Sequence, residues 1–408
     1  QIKPVYFKKM NKINFKNKIS PPFSREGARR ADGFRIAIVQ DYIKEFGGAE
    51  SVLETLSDIF PDAPIFTSIY KPAFLGPHQS RLRSKWDHRI HQSFFKYIPF
   101  AYKIISPLRI FSPLAFKSFD FSKFDVIITS ATGAYFPNSL NKKSAKLICY
   151  CHTPPRYLYG LPTARNFTKN KFIKFLVAII NHYLRLLDFK FAQNVDQFVA
   201  NSHTTATRIQ KFYRRDAIVI NPPVNIPPNL KSPLSKEETA DQKEIYYLAG
   251  GRLARAKRFD IAIEACKLTK VKLKIFGRDF ANYEFELKKM ANSNIEFLGE
   301  VDNETKSQLY QNAQAFIFPA DQEDFGIVPV ESMSYGCPVI AYKSGGVTET
   351  VIDNKTGVFF DELTGKSCAQ AIQTFQKLKI KQSDCVTRAS EFGTDKFIQK
   401  IKKLILSP

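Results

Sequence analysis

Residues 315–350 read AFIFPADQEDFGIVPVESMSYGCPVIAYKSGGVTET, and the fold turns on how this stretch is parsed. AFIFP is a short apolar run stopped by a proline, the pattern of a buried strand. Glu323 and Glu331 follow, with Phe325, Gly326 and Ile327 between them. From about Gly326 the spacing predicts a helix, which puts Val328, Glu331 and Ser332 within one turn of each other. A strand leading through a glycine loop into a helix offers free backbone N–H groups and a positive dipole end. Phosphate, or the hydroxyls of a polar ligand, suits such a place, and each glutamate can accept hydrogen bonds from paired hydroxyls of a sugar or ribose. An ordinary helix start with an acidic first turn fits the same residues. The stretch alone does not choose between the two.

Working outward, the residues around it alternate strand and helix patterns. Upstream lie Ile245–Ala249, the loop Gly250-Gly251-Arg252 with a helix from about Lys257, Val271–Gly277 and Ile295–Gly299; downstream lie Pro338–Ala341, Gly345-Gly346 and helices from about Lys366 to Leu406. A similar alternation fills the first half. Phe34–Val39 is a β-branched run suited to a buried parallel strand. It leads through FGGAE (46–50) into a helical pattern. Further strands are expected at 64–67, 124–129, 145–150, 197–200 and 217–220, with a long amphipathic helix at about 170–193 and a helix capped by Asn201-Ser202-His203. The strand at 145–150 delivers His152, beside two prolines, to its carboxyl end, where open α/β sheets place ligands; a buried structural histidine is the alternative. Residues 222–243 hold prolines without apolar periodicity and read as a linker. Two α/β domains, at 34–221 and 244–408, are therefore expected to face each other across a cleft.

The chain has 408 residues, enough for two cores, and 61 Lys and Arg against 38 Asp and Glu give a formal charge of +23. Such a surplus favours anionic partners: nucleic acid, an acidic membrane surface or a phosphorylated substrate. Residues 1–33 read as a flexible basic arm, with Met10 a candidate start. From Arg81 to Ser118 eight Lys and Arg face one acid, Asp87, among many aromatics. That mixture suits an anionic membrane interface; a core-facing helical pair is the alternative. No recognisable nucleic-acid motif accompanies the patch, so no nucleic-acid partner is expected. Six cysteines without a C-x-x-C pair argue for a reducing compartment and against a zinc site. No apolar run reaches the length of a membrane span.

Singly these motifs are weak; their order is not. FGGAE (46–50), His152, VDQFVANS (195–202), INPPV (220–224), GGRLARAKRFD (250–260), IEFLGEV (295–301), the Glu323/Glu331 pair and GCPVIAYKSGG (336–346) together resemble glycosyltransferase family 4, retaining enzymes of the GT-B fold. The resemblance runs from about residue 34 to the end, and with it comes the expectation of a last helix that packs back on the first domain. It implies that Arg252 and Lys257 grip the diphosphate of a nucleotide-sugar donor and that Gly48 lets backbone approach the same phosphates. It implies that Glu323 holds sugar hydroxyls with the N–H groups of Phe325, Gly326 and Ile327, that Glu331 holds the ribose, and that backbone near Val301 contacts the base. His152 would line the sugar and acceptor side. No metal or other cofactor is expected, since no Asp-x-Asp element stands out. YCHTPPRYLYG (150–160) looks like a mannosyltransferase branch using GDP-mannose in surface-polysaccharide synthesis. This implies a glycan or lipid-linked acceptor and a cytoplasmic enzyme, peripheral on the inner membrane face. A UDP-sugar enzyme of the same fold, or a non-catalytic nucleotide-sugar or polyanion binder, is the alternative.

Overall fold

The computed structural model describes residues 33–163, 171–227 and 244–406. The expected basic arm and most of the expected linker therefore lie outside the described residues.

The first half places β1 (Ile36–Gln40), α1 (Gly48–Ile59), β2 (Ile65–Thr67), α2 (Gln79–Trp86), β3 (Ile90–Gln92), α3 (Ile105–Leu108), α4 (Ser112–Lys117), β4 (Val126–Ala131), β5 (Lys146–Cys151), α5 (Lys171–Ala192), β6 (Gln197–Ala200), α6 (His203–Tyr213) and β7 (Ala217–Val219) in chain order. The second half holds β8 (Tyr247–Gly250), α7 (Phe259–Thr269), β9 (Leu273–Phe276), α8 (Tyr283–Met290), β10 (Ile295–Gly299), α9 (Asn303–Asn312), β11 (Phe316–Phe318), α10 (Ile327–Ser334), β12 (Val339–Tyr342), α11 (Val347–Thr350), β13 (Gly357–Phe360), α12 (Gly365–Lys377), α13 (Gln382–Ser390) and α14 (Thr394–Leu406).

Among the described residues the strands form two parallel sheets, one of seven strands ordered 3-2-1-4-5-6-7 and one of six ordered 10-9-8-11-12-13. The fold is the expected GT-B arrangement of two Rossmann-like domains. Strands such as β1, buried along its whole length, are covered by helices on both faces, which is why they read as continuous apolar runs. In each sheet the order reverses beside its first strand, between β1 and β4 and between β8 and β11. The loops leaving these strands open a crevice at their carboxyl ends, and most of the candidate residues sit on them.

Several details differ from the sequence reading. Two short strands were not expected: β3, whose Ile-His-Gln is half-buried throughout, and β13, a Gly-Val-Phe-Phe segment following a turn. Lys257 lies in a 3₁₀ turn, Arg255–Lys257, and Arg258 in the left-handed region (φ +53°) separates that turn from α7. The C-terminal stretch, expected to be helices from about Lys366, consists of α12, α13 and α14. The last of them, α14, returns to the first domain, where Phe397, Ile401 and Ile405 join the core built by Leu53, Leu56 and Ile128. The chain crosses between domains beside itself, with Val224 bridged to Gly393 and Thr394 N–H donating to the Val224 carbonyl at 3.1 Å.

Candidate active site

The donor-side loop follows β11. Pro319 ends the strand, and Gln322 adopts φ +49° so that Glu323 and Asp324 project differently. The loop after β12 braces it: Ser344 Oγ accepts from Gln322 N–H at 3.1 Å, and Gly346 N–H donates to the Glu323 carbonyl at 2.8 Å. This close approach explains the paired glycines, since a Cβ on Gly345 (φ +73°) would sit 2.4 Å from the Glu323 carbonyl oxygen. Gly326, also left-handed, starts α10, and no side chain caps that end. The Glu323 carboxylate receives Lys257 Nζ at 2.6 Å. Burial works to raise the Glu323 carboxyl, but Lys257, with Arg156 and Arg252 beyond it, outweighs burial and holds it below the ordinary range. The site therefore keeps an ionised acceptor beside a cation.

Arg252 does not join that pair. Its guanidinium is 2.8 Å from Glu45 of the first domain and lies over the Phe280 ring at 5.1 Å. Gly48 stands opposite Ile327: a Cβ there would meet Ile327 Cδ1, the far end of a flexible side chain, at 2.8 Å, so the starts of α1 and α10 lie close together. Phe325 is buried in the second core, while Val301 and Ile327 pack half-buried against it. Glu331 faces Lys306 of α9 at 3.5 Å.

His152 lies at the end of β5 on the other wall. Its Nε2 is 2.9 Å from Ser130 Oγ, and burial lowers its pKa to about 4. It is therefore neutral at ordinary pH and works as a hydrogen-bonding group, not a cation.

The sequence reading missed the contacts that close the cleft. Arg156 Nη2 donates to Asp324 Oδ1 at 2.7 Å and to the Gln322 carbonyl at 2.7 Å. Arg208 on α6 also pairs with Asp324 Oδ1, and its Nη2 reaches the Gln322 carbonyl at 2.9 Å. Ser202, read only as a cap, donates its hydroxyl to the Asp324 carbonyl at 2.5 Å while capping α6. Glu349 of α11 accepts from the N–H groups of His203 and Thr204, each at 2.7 Å, placing a carboxylate on the positive end of α6. The first domain thus holds the backbone and side chain on either side of Glu323. Arg156 falls inside a run the sequence reading had singled out; nothing about Arg208 set it apart from an ordinary helix cation.

Among the described residues no group of three or more His, Cys, Asp or Glu could hold a metal ion. The arrangement offers Arg252 and Lys257 on the loop after β8, an ionised carboxylate beside Lys257, and a wall of neutral histidine and serine opposite.

Comparison with known proteins gives this geometry a context. Residues 46–226 match the family model described as glycosyltransferase family 4, and residues 231–392 the one described as glycosyl transferases group 1. The alpha-1,3/1,6-mannosyltransferase ALG2 of Kluyveromyces lactis is 29% identical over 285 residues, covering 59% of this chain and 54% of that one. The human ALG2 is 27% identical, covering 62% and 65%. The chain thus spans between about half and two-thirds of the length of these curated relatives. Among solved structures, Anabaena Alr3699/HepE in complex with UDP-glucose superposes with a TM-score of 0.66 at 20% identity, over 91% of this chain and all of that one. The lipopolysaccharide outer core galactosyltransferase WaaB superposes with a TM-score of 0.62 at 16% identity, over 91% and 99%. At such identities the structural likeness is one of fold.

Proposed function

The chain belongs to glycosyltransferase family 4, and from that premise we propose that it transfers a hexose from a nucleotide-sugar donor to a glycan or lipid-linked acceptor. The observation that carries the reading is the Lys257–Glu323 pair at 2.6 Å, set at the strand ends where the second sheet reverses. Breaking a glycosyl–phosphate bond builds negative charge on the leaving diphosphate and positive character on the sugar carbon. Lys257 and Arg252 stabilise the first. Preorganised charge of this kind is worth about 2.7–4 kcal/mol per lost donor in comparable sites. Glu323, kept ionised, accepts the sugar hydroxyls together with backbone N–H groups at Phe325, Gly326 and Ile327. Glu331 accepts the ribose hydroxyls, and backbone near Val301 borders the base. Gly48 lets backbone of the first domain approach the same diphosphate, and the neutral His152 lines the sugar and acceptor side. The reaction as proposed needs no metal.

GDP-mannose is the first donor to test, because the curated relatives at this similarity include several named mannosyltransferases. A UDP-sugar is the second reading, favoured by the likeness to a fold solved with UDP-glucose. A transfer and hydrolysis screen over GDP-mannose, UDP-glucose and UDP-N-acetylglucosamine decides between them. Turnover of none of these by the parent protein, or equal turnover by Lys257→Ala, would overturn the proposal.

We also place the enzyme in the cytoplasm, peripheral on the anionic inner face of the membrane. All six cysteines are free and buried, which suits a reducing compartment. Among the described residues no helix is long and apolar enough to cross a membrane. In the 81–118 segment Trp86, Phe95 and Leu108 are core residues, which fits the bland alternative, whereas Tyr97, Phe100, Phe111 and Leu114 stand exposed among cations.

A further inference from the structure

We propose that the first half of α5 is the element that inserts into an anionic lipid bilayer, with the exposed side chains of the α3–α4 region, which packs against the other end of the helix, as a second contact. The choice of partner rests on the peripheral-membrane reading above; the choice of element does not.

The two halves of α5 differ sharply. In the second half Leu184, Asp188 and Ala192 form a buried stripe four residues apart, and Leu184 packs with Phe136, Leu158, Leu187 and Phe191. From Lys174 to Tyr183 no residue is buried. Phe175, Ile179 and Tyr183 are 63%, 54% and 61% exposed, and Leu176 and Ile180 are exposed with them. A helix on the surface of a soluble domain turns its polar face outward. Here the outward face is apolar, and a contiguous patch of that kind marks an interaction surface.

The second patch meets the same helix at its C-terminal end. Tyr97, Phe100, Phe111 and Leu114 are exposed, with Lys96 4.9 Å over the Tyr97 ring and Lys103 5.1 Å over Phe100. Lys117 of α4 lies 5.6 Å over Phe191 of α5, and Phe136, whose N–H donates to Ser112 Oγ of α4 at 3.3 Å, contacts the same Phe191 ring at 6.1 Å. Arg109 stacks 4.0 Å above Tyr157, which packs in the α5 cluster. The α3–α4 region is therefore fixed against the end of α5, about 12–24 Å along the helix from Tyr183 and Phe175.

Charge selects the occupant. The cations beside these patches are Lys96, Lys103, Arg109, Lys117, Lys174, Arg185 and Lys190. The one acid on α5, Asp188, is buried and accepts from the Tyr159 hydroxyl at 2.9 Å. A second copy of the chain would set these cations against their own kind on a molecule already at +23. Anionic headgroups pair with the cations while the aromatic and aliphatic side chains enter the acyl boundary. The exposed apolar side chains between Phe175 and Leu186, interrupted by Asn181, His182 and Arg185, cover about 18 Å of helix, too short to span a bilayer and suited to lying in its surface.

The test is sedimentation of the full chain with phosphatidylcholine vesicles, with and without phosphatidylglycerol, using the parent, Ile179→Glu and Leu114→Glu, with melting temperature as the check on folding. The parent is expected to bind the anionic vesicles, less so at high salt. Ile179→Glu should bind about tenfold or more weakly, since it removes an inserted aliphatic group and adds an anion. Tryptophan introduced as Phe175→Trp should shift its emission to the blue on those vesicles, against the buried Trp86 as background. Equal binding by Ile179→Glu and the parent, or no emission shift, overturns the assignment to α5 while parent binding leaves the membrane reading standing. Parent protein that ignores anionic vesicles overturns both. A dimer without vesicles that Ile179→Glu dissociates overturns the lipid in favour of a second copy.

Discussion

Asp324→Asn tests whether closure of the cleft is part of the catalytic site. Asp324 Oδ1 is shared by Arg156 at 2.7 Å and by Arg208, and the three side chains are 21%, 20% and 9% exposed. Removing one partner of a fully buried pair costs about 3–5 kcal/mol, while an exposed pair is worth about 1 or less. This cluster lies between those limits, and the Gln322 carbonyl still accepts from both guanidiniums at 2.7 and 2.9 Å. A loss of about 2–3 kcal/mol follows, which corresponds to roughly 30- to 150-fold. Because the carboxylate and the arginines belong to different domains, the loss falls on the closed arrangement and not on either core. The assay is paired: kcat and KM for the donor, and the radius of gyration by small-angle scattering. Asparagine keeps the backbone carbonyl that Ser202 reaches, so the change isolates the charge. Expected outcomes are a kcat/KM lowered by the factor above, an expanded radius and an almost unchanged melting temperature. Arg208→Lys, which keeps the charge but loses the forked geometry, should fall between. Activity within about threefold of the parent with unchanged scattering would refute the argument, since such a change is under 1 kcal/mol.

Lys257→Ala or Arg252→Ala should lower transfer by about 10²–10³-fold with the fold retained, the scale of one lost charge-stabilising donor; near-parental turnover in either removes the phosphate assignment. Glu331→Ala should weaken binding of the free nucleotide more than it alters sugar preference, and calorimetry finding unchanged nucleotide affinity counts against the ribose role. Glu50 is buried in α1, and burial first, then the neighbouring Glu45, raises its carboxyl to about 8. Its folded pKa thus lies above the unfolded value of 4.5, so the parent loses stability as pH rises from about 4.5 to about 8. Glu50→Gln has no such loss, and its melting temperature should gain on the parent's across that window; a constant difference would show that Glu50 is ionised in the fold.

Much of the architecture follows from the chain alone, because its signals are local. Buried parallel strands are continuous apolar runs, and glycines mark where backbone must turn or approach closely, so β1, β4, β5, β8 and β11 could be placed from pattern. The Glu323/Glu331 pair could be singled out for the same reason: a loop and a helix start sit next to each other in sequence. Where the local signal is thin the reading failed. Ile90–Gln92 is a strand by virtue of its pairing with β2, and Gly357–Phe360 by its pairing with β12. The 3₁₀ turn at Lys257 needed Arg258 in a left-handed conformation that its side chain does not advertise. What only the tertiary structure decided is partnership between residues far apart in the chain. Sequence shows that cations and carboxylates are present, and it does not show that Lys257 takes Glu323, that Arg252 takes Glu45, or that Arg156 and Arg208 converge on Asp324. The return of the last helix to the first domain is an expectation of the resemblance, but that Phe397, Ile401 and Ile405 are the residues entering that core is decided by packing. A charge or an apolar stripe can be satisfied by any complementary group that packing brings within a few ångströms, and the packing of two domains around one cleft made that choice.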